Sequence, residues 1–165
     1  MSKSILTIII QHAILFVRTF LMDIFTKYPP ILFLDLDGVI NPYGNSSKEP
    51  LNQLYRIIDE TNCRIVLSSM WRLKGQEIAE NNMREHLGYQ GPKIYSITPD
   101  LKGAPRGNEI AAWIASNLEP MTCWAVVDDI DEMEYVRHRF VQTNPRIGLD
   151  EMAADRIIEL LLNWD

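Results

Sequence analysis

Four aspartates have the side-chain type and the spacing that a metal-binding site would need. Asp35 and Asp37 follow one short apolar run, and Asp128 and Asp129 follow another. If both runs are neighbouring strands of an open α/β sheet, their carboxyl ends share one edge, where such sheets bind ligands. Carboxylates gathered there repel each other unless a cation lies among them, and oxygen ligands without His or Cys favour Mg²⁺. The sequence therefore predicts a magnesium-binding carboxylate site.

Each pair of aspartates also has a purely structural interpretation. Asp and Gly are common where a strand ends in a turn, so residues 35–38 taken alone are compatible with a turn. A pair such as Asp128 and Asp129 often caps a helix and places an acid in its first turn. Both pairs occur at the ends of apolar runs in a chain of alternating pattern, and this coincidence favours a shared site.

The elements that would position these residues alternate along the chain from residue 31 onward. Apolar runs bounded by turn residues predict buried strands, and apolar residues at helical spacing predict helices. The predicted strands cover residues 31–34, 65–67, 93–98, 124–127 and 140–143. The predicted helices cover residues 51–61, 76–87, 108–118, 131–138 and 150–162. This alternation indicates an α/β fold with a mainly parallel sheet between two layers of helices.

The composition fits one globular domain. The chain has 165 residues, 47% of them hydrophobic and 23% charged, which is enough for one sizeable core. Its net charge of −6 excludes a global basic field for nucleic acid, so such binding would need a local basic cluster. Cys63 and Cys123 adjoin apolar runs without metal-ligand spacing, which predicts buried, reduced thiols and a cytoplasmic protein. The oligomeric state stays open.

We expect the domain to cover residues 29–165. Residues 1–28 ahead of it are an apolar extension. Residues 5–21 are apolar enough to suggest a membrane segment, but Arg18 and two other polar residues interrupt the run that spanning requires. We expect a helix that packs on the domain or on a partner. Contact with a membrane, or a signal-like role, is a less favoured alternative. A non-native extension upstream of a start at Met22 is another.

Four short motifs occur in a fixed order along the chain. Residues 33–41 contain DxDG followed by aliphatic residues, and residues 65–69 form a hydrophobic run that ends in Ser. Residues 126–129 end in the acidic pair, and Lys102 or Arg106 offers a basic residue before them. In order and spacing these motifs resemble the four motifs of the haloacid dehalogenase-like (HAD) phosphohydrolase superfamily.

A narrower resemblance involves residues 68–72, 105–113 and 127–129, which are similar to the small HAD domains of multidomain RNA-repair proteins and, at the acidic pair, to polynucleotide kinase–phosphatases. The resemblance implies a three-layer Rossmann-like fold with a central five-stranded, mainly parallel sheet. The connections after the first and second strands are too short for the cap domain that many relatives carry. A capless enzyme has an open site, which suits phosphates on large substrates.

The resemblance implies a role for each aspartate. Asp35 would attack phosphorus and form an aspartyl-phosphate, and Asp37 would protonate the leaving oxygen and then deprotonate the hydrolytic water. Mg²⁺ would be held by the Asp35 carboxylate, the Asp37 main-chain carbonyl and one acid of the later pair. We favour Asp129 as the direct ligand and Asp128 as an acid behind it.

The resemblance also supplies candidates for the phosphate site. Ser68 would donate a hydrogen bond to a phosphoryl oxygen, with Ser69 as the alternative, and either could instead cap a helix. Arg106 would neutralise developing charge and orient the nucleophile. Lys102 is the alternative to Arg106, because the superfamily usually has Lys at this position.

The resemblance and the open site together imply the substrate class, and two residues beside the site could bind it. Trp71 and Arg72 would bind the base and phosphate of a nucleotide, although Trp71 could equally cover the core. We therefore expect a magnesium-dependent phosphatase that acts on a nucleotide or a polynucleotide-end phosphate. A capless phosphoprotein phosphatase is one alternative. A catalytically silent binding module, with residues 1–28 docking a partner, is another, and the intact pair of Asp35 and Asp37 argues against it.

Overall fold

A sheet of five parallel strands lies at the centre of the computed structural model, which describes residues 9–10, 12–13, 27–44 and 47–163. Within the extension predicted over residues 1–28, residues 9, 10, 12 and 13 are helical and exposed, and most of the remainder lies outside the described residues. Among the helices that the structure describes, none is long and apolar enough to cross a membrane.

The strand order confirms the predicted α/β class. The strands are β1 (Ile31–Leu34), β2 (Arg64–Leu67), β3 (Ser96–Ile97), β4 (Trp124–Asp128) and β5 (Phe140–Gln142). They are arranged as β3-β2-β1-β4-β5, and every neighbouring pair is parallel. β1 therefore lies in the middle, and the chain crosses from one side of it to the other between β3 and β4. The carboxyl end of β1 is the switch point at which such sheets bind ligands.

Helices cover both faces of the sheet. The α-helices are α1 (Glu49–Thr61), α2 (Gln76–Leu87), α3 (Arg106–Asn117) and α4 (Glu151–Leu162), with 3-10 helices at Met70–Lys74 and Glu134–Arg139. Apolar residues of α1, α2 and α4 share one buried cluster, and those of α3 and the second 3-10 helix share another. The result is the expected three-layer arrangement.

β1 is buried on both sides, which explains its uninterrupted apolar sequence. Leu32 and Leu34 belong to the cluster of α1, α2 and α4, whereas Ile31 and Phe33 belong to the cluster of α3. The ring of Phe33 meets the ring of Trp113 on α3 edge to face, with their centroids 5.3 Å apart. Packing on both faces thus fixes the strand that ends at Asp35.

Several predicted boundaries need correction, among them the start of α1, which lies at Glu49 rather than at residue 51. The strand predicted over 93–98 shortens to β3, because the backbone of Ile94 exchanges hydrogen bonds with side chains of α2 rather than with β2. The helix predicted over 131–138 is the 3-10 helix Glu134–Arg139. α3 begins two residues earlier than predicted, directly after Pro105, whose φ of −55° already suits a helix start.

The carboxyl edge of the sheet carries no additional domain in the part of the chain that the structure describes. The connection from β1 leads directly to α1, and the connection from β2 to α3 contains only the first 3-10 helix, α2 and β3. The expectation of a capless fold is therefore confirmed.

Candidate active site

The end of β1 places Asp35 at the centre of the carboxyl edge. The backbone N–H of Asp35 donates to the carbonyl of Val127 on β4, 3.1 Å away, so the strand pairing continues to this residue. The side chain is buried. Because β4 is the direct neighbour of β1, its own terminal acids, Asp128 and Asp129, reach the same place.

Three carboxylates converge there. Asp35, Asp128 and Asp129 each offer an oxygen, and these three atoms lie within 4.8 Å of one another. Carboxylate oxygens are the ligands that Mg²⁺ prefers, and like charges this close need a cation between them. The donor set therefore fits the magnesium ion predicted from the sequence.

Arg106, the first residue of α3, connects two of these carboxylates. One guanidinium nitrogen lies 2.5 Å from an oxygen of Asp35 and 2.7 Å from an oxygen of Asp128. Of the two cations considered from the sequence, the structure brings Arg106 into the site, whereas Lys102 is exposed in the turn before α3. Arg106 is thus placed to orient Asp35 and to neutralise part of the local charge.

The protonation of Asp35 reflects this crowding. Burial and, second, the charge of Asp128 raise the pKa of Asp35 from 3.8 to about 7, against the opposing influence of Arg106. Burial also raises the pKa of Asp128, and Arg106 again opposes the shift. At both carboxyl groups the effect of burial thus outweighs the opposing charge of Arg106.

Asp37 is held by two donors that sequence analysis did not assign to it. The side-chain amide of Asn41 donates to one carboxylate oxygen at 2.7 Å, and the indole N–H of Trp71 donates to the other at 2.9 Å. Asn41 lies four residues after Asp37 in the first motif, a spacing that could have suggested the contact. Nothing in the sequence indicates that Trp71 reaches across from the connection after β2.

Gly38 allows Asp129 to approach the first motif. Its φ is +77°, and a Cβ at this position would lie 2.5 Å from the carboxylate carbon of Asp129. The carbonyl of Gly38 accepts a hydrogen bond of 2.9 Å from the hydroxyl of Thr143, next to β5. A glycine at this position therefore permits the positive φ of the turn and leaves space for the carboxylate of Asp129.

The two serines after β2 have different environments. The Ser68 hydroxyl is buried and has no hydrogen-bond partner within the described residues. The Ser69 hydroxyl accepts from the backbone N–H of Trp71 at 3.4 Å and caps the first 3-10 helix. The Ser69 hydroxyl thus makes the capping contact considered as its alternative, and because it only accepts in this contact, its expected role as a donor to phosphate stays a prediction.

The expectation for Arg72 is also corrected. Its side chain is buried rather than exposed on a platform, and it forms an ion pair with Glu109 of α3. The guanidinium also donates to four backbone carbonyls, at Ser68, Ser69, Thr98 and Pro99. A guanidinium with these partners is not available to a substrate phosphate, so Arg72 supports the site from behind.

The two acids at the end of β4 differ in their hydrogen bonds. The Asp128 carboxylate accepts from Arg106 with one oxygen and from the backbone N–H of Ile130, at 2.9 Å, with the other. The Asp129 carboxylate accepts no hydrogen bond from the part of the chain that the structure describes, and its side chain is only half-buried. Asp129 therefore retains more capacity for an additional ligand.

Comparison with known proteins gives one match. Residues 31–154 match the family described as the HAD domain in Swiss Army Knife RNA repair proteins. The chain matches no curated protein and no solved structure. The match includes every residue of the site above, from Asp35 to the acidic pair, and supports a HAD-type phosphohydrolase in general terms. From its sequence match and its five-stranded parallel sheet, the chain belongs to this family of HAD domains.

Proposed function

We propose that this chain is a magnesium-dependent phosphohydrolase that forms an aspartyl-phosphate on Asp35 and acts on a nucleotide or polynucleotide-end phosphate. The observation that carries the proposal is Arg106, which contacts Asp35 and Asp128 at once beside a second, separately held carboxylate, Asp37. This arrangement supplies a nucleophile, a fixed cation and an acid–base group at one sheet edge.

In the first step the Asp35 carboxylate attacks phosphorus, and the bond from phosphorus to the leaving oxygen breaks. Asp37 gives its proton to that oxygen, so the product departs as a neutral hydroxyl. Arg106 stabilises the negative charge around the reacting atoms. The buried Ser68 hydroxyl, which lacks a partner in the described part of the molecule, is suited to donate to a phosphoryl oxygen.

In the second step Asp37, now ionised, removes a proton from water, and the oxygen of that water attacks the phosphorus of the aspartyl-phosphate. The acyl-phosphate bond breaks, inorganic phosphate leaves, and Asp35 regains its carboxylate. Asn41 and Trp71 donate to the two oxygens of Asp37 and hold its carboxyl group in place. These contacts support a fixed position for Asp37 in both steps.

Magnesium would be held by Asp35, Asp129 and the main-chain carbonyl of Asp37. When bound, it supplies positive charge that lets a carboxylate approach a phosphate dianion. The free capacity of Asp129, against the occupied oxygens of Asp128, supports Asp129 as the direct ligand.

The substrate class is supported by the open edge and by the family. A capless site leaves room for a phosphate on a large molecule, and the family is described from RNA-repair proteins. A phosphoprotein phosphatase would also need an open site, and a silent module would keep the fold without turnover. Activity measurements on defined substrates separate these three functions.

The test is hydrolysis of p-nitrophenyl phosphate with Mg²⁺ by the wild type, Asp35→Asn and Asp37→Asn. Asp35→Asn loses the activity because the nucleophile is gone. Nitrophenolate leaves without help from an acid, so Asp37→Asn releases one equivalent in a burst. It then turns over ~10²–10⁴-fold more slowly, because no base activates water. Asp59→Asn, an exposed acid on α1, serves as the matched control and keeps wild-type rates.

Equal rates for the wild type and Asp35→Asn would contradict the proposed nucleophile. A wild type that binds Mg²⁺ but hydrolyses neither aryl phosphate nor phosphorylated oligonucleotides or peptides would favour the silent binding module. Faster hydrolysis of phosphopeptides than of 3′- or 5′-phosphorylated oligonucleotides would favour the phosphoprotein alternative.

A further inference from the structure

A cleft of about 540 Å³ opens directly beside Asp37. One wall is the first 3-10 helix, which contributes Met70, Trp71, Leu73 and Lys74, and the other is α2, which contributes His86. Asp37 itself lines this cleft, so the acid–base carboxylate borders it directly. The oxygen that receives the proton of Asp37 would therefore lie next to the cleft, together with the rest of the leaving group.

The cleft combines apolar and basic surface. Met70 and Leu73 are 61% and 47% exposed, so both present apolar surface to the cleft. Lys74 and His86 are exposed and form no ion pair among the residues that the structure describes. Apolar side chains next to unpaired basic ones suit a ligand with both flat apolar groups and negative charge.

The basic surface continues beyond the cleft. An adjoining hollow of about 300 Å³ shares His86 with it and is lined by Lys48 at the start of α1. Lys48 likewise has no ion-pair partner in the described segments. In a chain with a net charge of −6, Lys74 and Lys48 place two positive charges along these two hollows, and the His86 imidazole, which lines both, offers a hydrogen-bond donor.

We propose that this cleft holds the leaving-group strand of a single-stranded polynucleotide, with bases against Met70 and Leu73 and phosphodiesters against Lys74 and His86. This inference rests on the proposed function, because it assigns a binding site to the part of the substrate that leaves in the same reaction. It adds the residues that would distinguish a polynucleotide end from a small phosphate ester.

The position of the basic residues favours a polynucleotide over a phosphopeptide. A phosphopeptide presents one phosphate, and Arg106, Ser68 and the metal ligands already provide for it. Lys74 and His86 lie outside that phosphate site, so they suit a second anionic group in the same substrate. A polynucleotide carries such a group at every nucleotide and alternates it with a base whose apolar face can pack against aliphatic side chains such as Met70 and Leu73.

The test measures binding without turnover. Asp35→Asn protein in Mg²⁺ is titrated into fluorescein-labelled penta-uridylate that carries a 3′-phosphate, a 5′-phosphate or neither, and into a labelled phosphoserine peptide, with fluorescence anisotropy as the readout. Adding Lys74→Glu should weaken binding of the preferred oligonucleotide about tenfold and reduce the slope of log Kd against log salt by about 0.7. Met70→Ser should weaken it without changing that slope.

Matched controls carry the same substitutions elsewhere. One control is Lys93→Glu, at an exposed lysine before the amino end of β3. The other is Met152→Ser, at an exposed methionine on α4. Both should bind the oligonucleotide like the parent protein. In the active background, the ratio of kcat/KM for the oligonucleotide to that for p-nitrophenyl phosphate should fall in Lys74→Glu and stay constant in Lys93→Glu.

Oligonucleotide binding that is insensitive to Lys74→Glu and Met70→Ser, in a protein that hydrolyses aryl phosphate, would overturn the cleft assignment and leave the proposed function intact. Tighter binding of the phosphopeptide that depends on Lys74 would overturn it in favour of a protein substrate. Binding that depends on Lys74 in a protein without hydrolytic activity would instead overturn the proposed function.

Discussion

At the scale of single residues, Gly38 shows how closely the two acidic motifs are fitted together. Asp129 occupies the space where any other residue at position 38 would place its Cβ. The turn after β1 also requires a positive φ at this position. One glycine therefore satisfies a backbone requirement and a contact with a distant strand, and only the first is apparent from the DxDG pattern.

Gly38→Ala should weaken magnesium binding by about 10–100-fold, because the new methyl group displaces the carboxylate of Asp129. Gly44→Ala is the matched control: Gly44 also has a positive φ, of +70°, but a Cβ there meets nothing within 4 Å. Both variants bear the cost of a left-handed alanine, roughly 1–2 kcal/mol, and only the first disturbs the acidic pair. Isothermal titration of each variant with Mg²⁺ measures the difference. Similar affinities in both variants would argue against Asp129 as a ligand.

The acidic residues at the sheet edge could be predicted from the sequence, whereas the hydrogen bond from Trp71 to Asp37 could not. Asp35, Asp37, Asp128 and Asp129 were identified because acids after apolar strands are recognisable without knowing the sheet order. The partner of Asp37 was not, since the contact with Trp71 spans 34 positions and depends on how the first 3-10 helix folds over β1. Long-range contacts of this kind leave no local pattern.

At the scale of elements, Arg72 and Glu109 join the parts that frame the site. Arg72 lies in the first 3-10 helix and Glu109 lies in the first turn of α3, the helix that begins with Arg106. The other oxygen of Glu109 accepts from the backbone N–H of Leu101, at 3.0 Å, in the loop before that helix. This buried pair ties the strand-end loop that contains Ser68 to the helix that contains Arg106.

Arg72→Ala should destabilise the fold by about 3–5 kcal/mol, because it leaves the Glu109 carboxylate buried without its partner. The double variant Arg72→Met with Glu109→Gln should lose less, since no unpaired charge remains. Arg56→Ala removes an exposed ion pair with Asp155 and should cost far less. Urea denaturation of the four proteins gives the free energies of unfolding. If Arg72→Ala were no less stable than Arg56→Ala, the buried pair would have no structural role.

Most elements were predictable because their patterns are local. The apolar run 31–34 and the helical spacing over 76–87 match β1 and α2 residue for residue. β3 was overestimated because Ile94 is apolar and buried like a strand residue, yet its backbone pairs with side chains of α2. The substrate role expected of Arg72 was wrong for a related reason: an arginine after a strand usually faces solvent, and its buried partner lies 37 positions away.

At the scale of the whole molecule, the carboxylate cluster makes stability depend on pH and, if Mg²⁺ binds there as proposed, on the metal as well. Asp35 has a pKa of about 7 in the folded chain, above its ordinary value of 3.8. The folded protein therefore binds this proton more tightly than the unfolded chain does. The resulting stability is complete below about pH 4 and is lost as the pH rises through about 7.

Without Mg²⁺, the melting temperature should fall between about pH 5 and pH 8 as Asp35 ionises beside Asp128. Mg²⁺ bound at the proposed site would take the place of the proton, so it should raise the melting temperature strongly at pH 8 and little at pH 5. Asp35→Asn cannot ionise there, and its metal-free melting temperature should be less sensitive to pH. Differential scanning calorimetry measures the melting temperatures of the wild type with Mg²⁺, the wild type with EDTA, and Asp35→Asn with EDTA. A metal-free wild type that becomes more stable toward pH 8 would contradict the assignment.

The two outermost strands of the sheet are very short: β3 has 2 residues and β5 has 3. A strand edge recruits another chain only if it exposes a row of unpaired backbone N–H and carbonyl groups. In the described part of the chain that row is almost absent on both sides, whereas the somewhat longer strands β2, β1 and β4 lie between other strands. These edges therefore offer a second copy little backbone to which it could add a strand, and growth of an intermolecular sheet there would first require the edges to unfold.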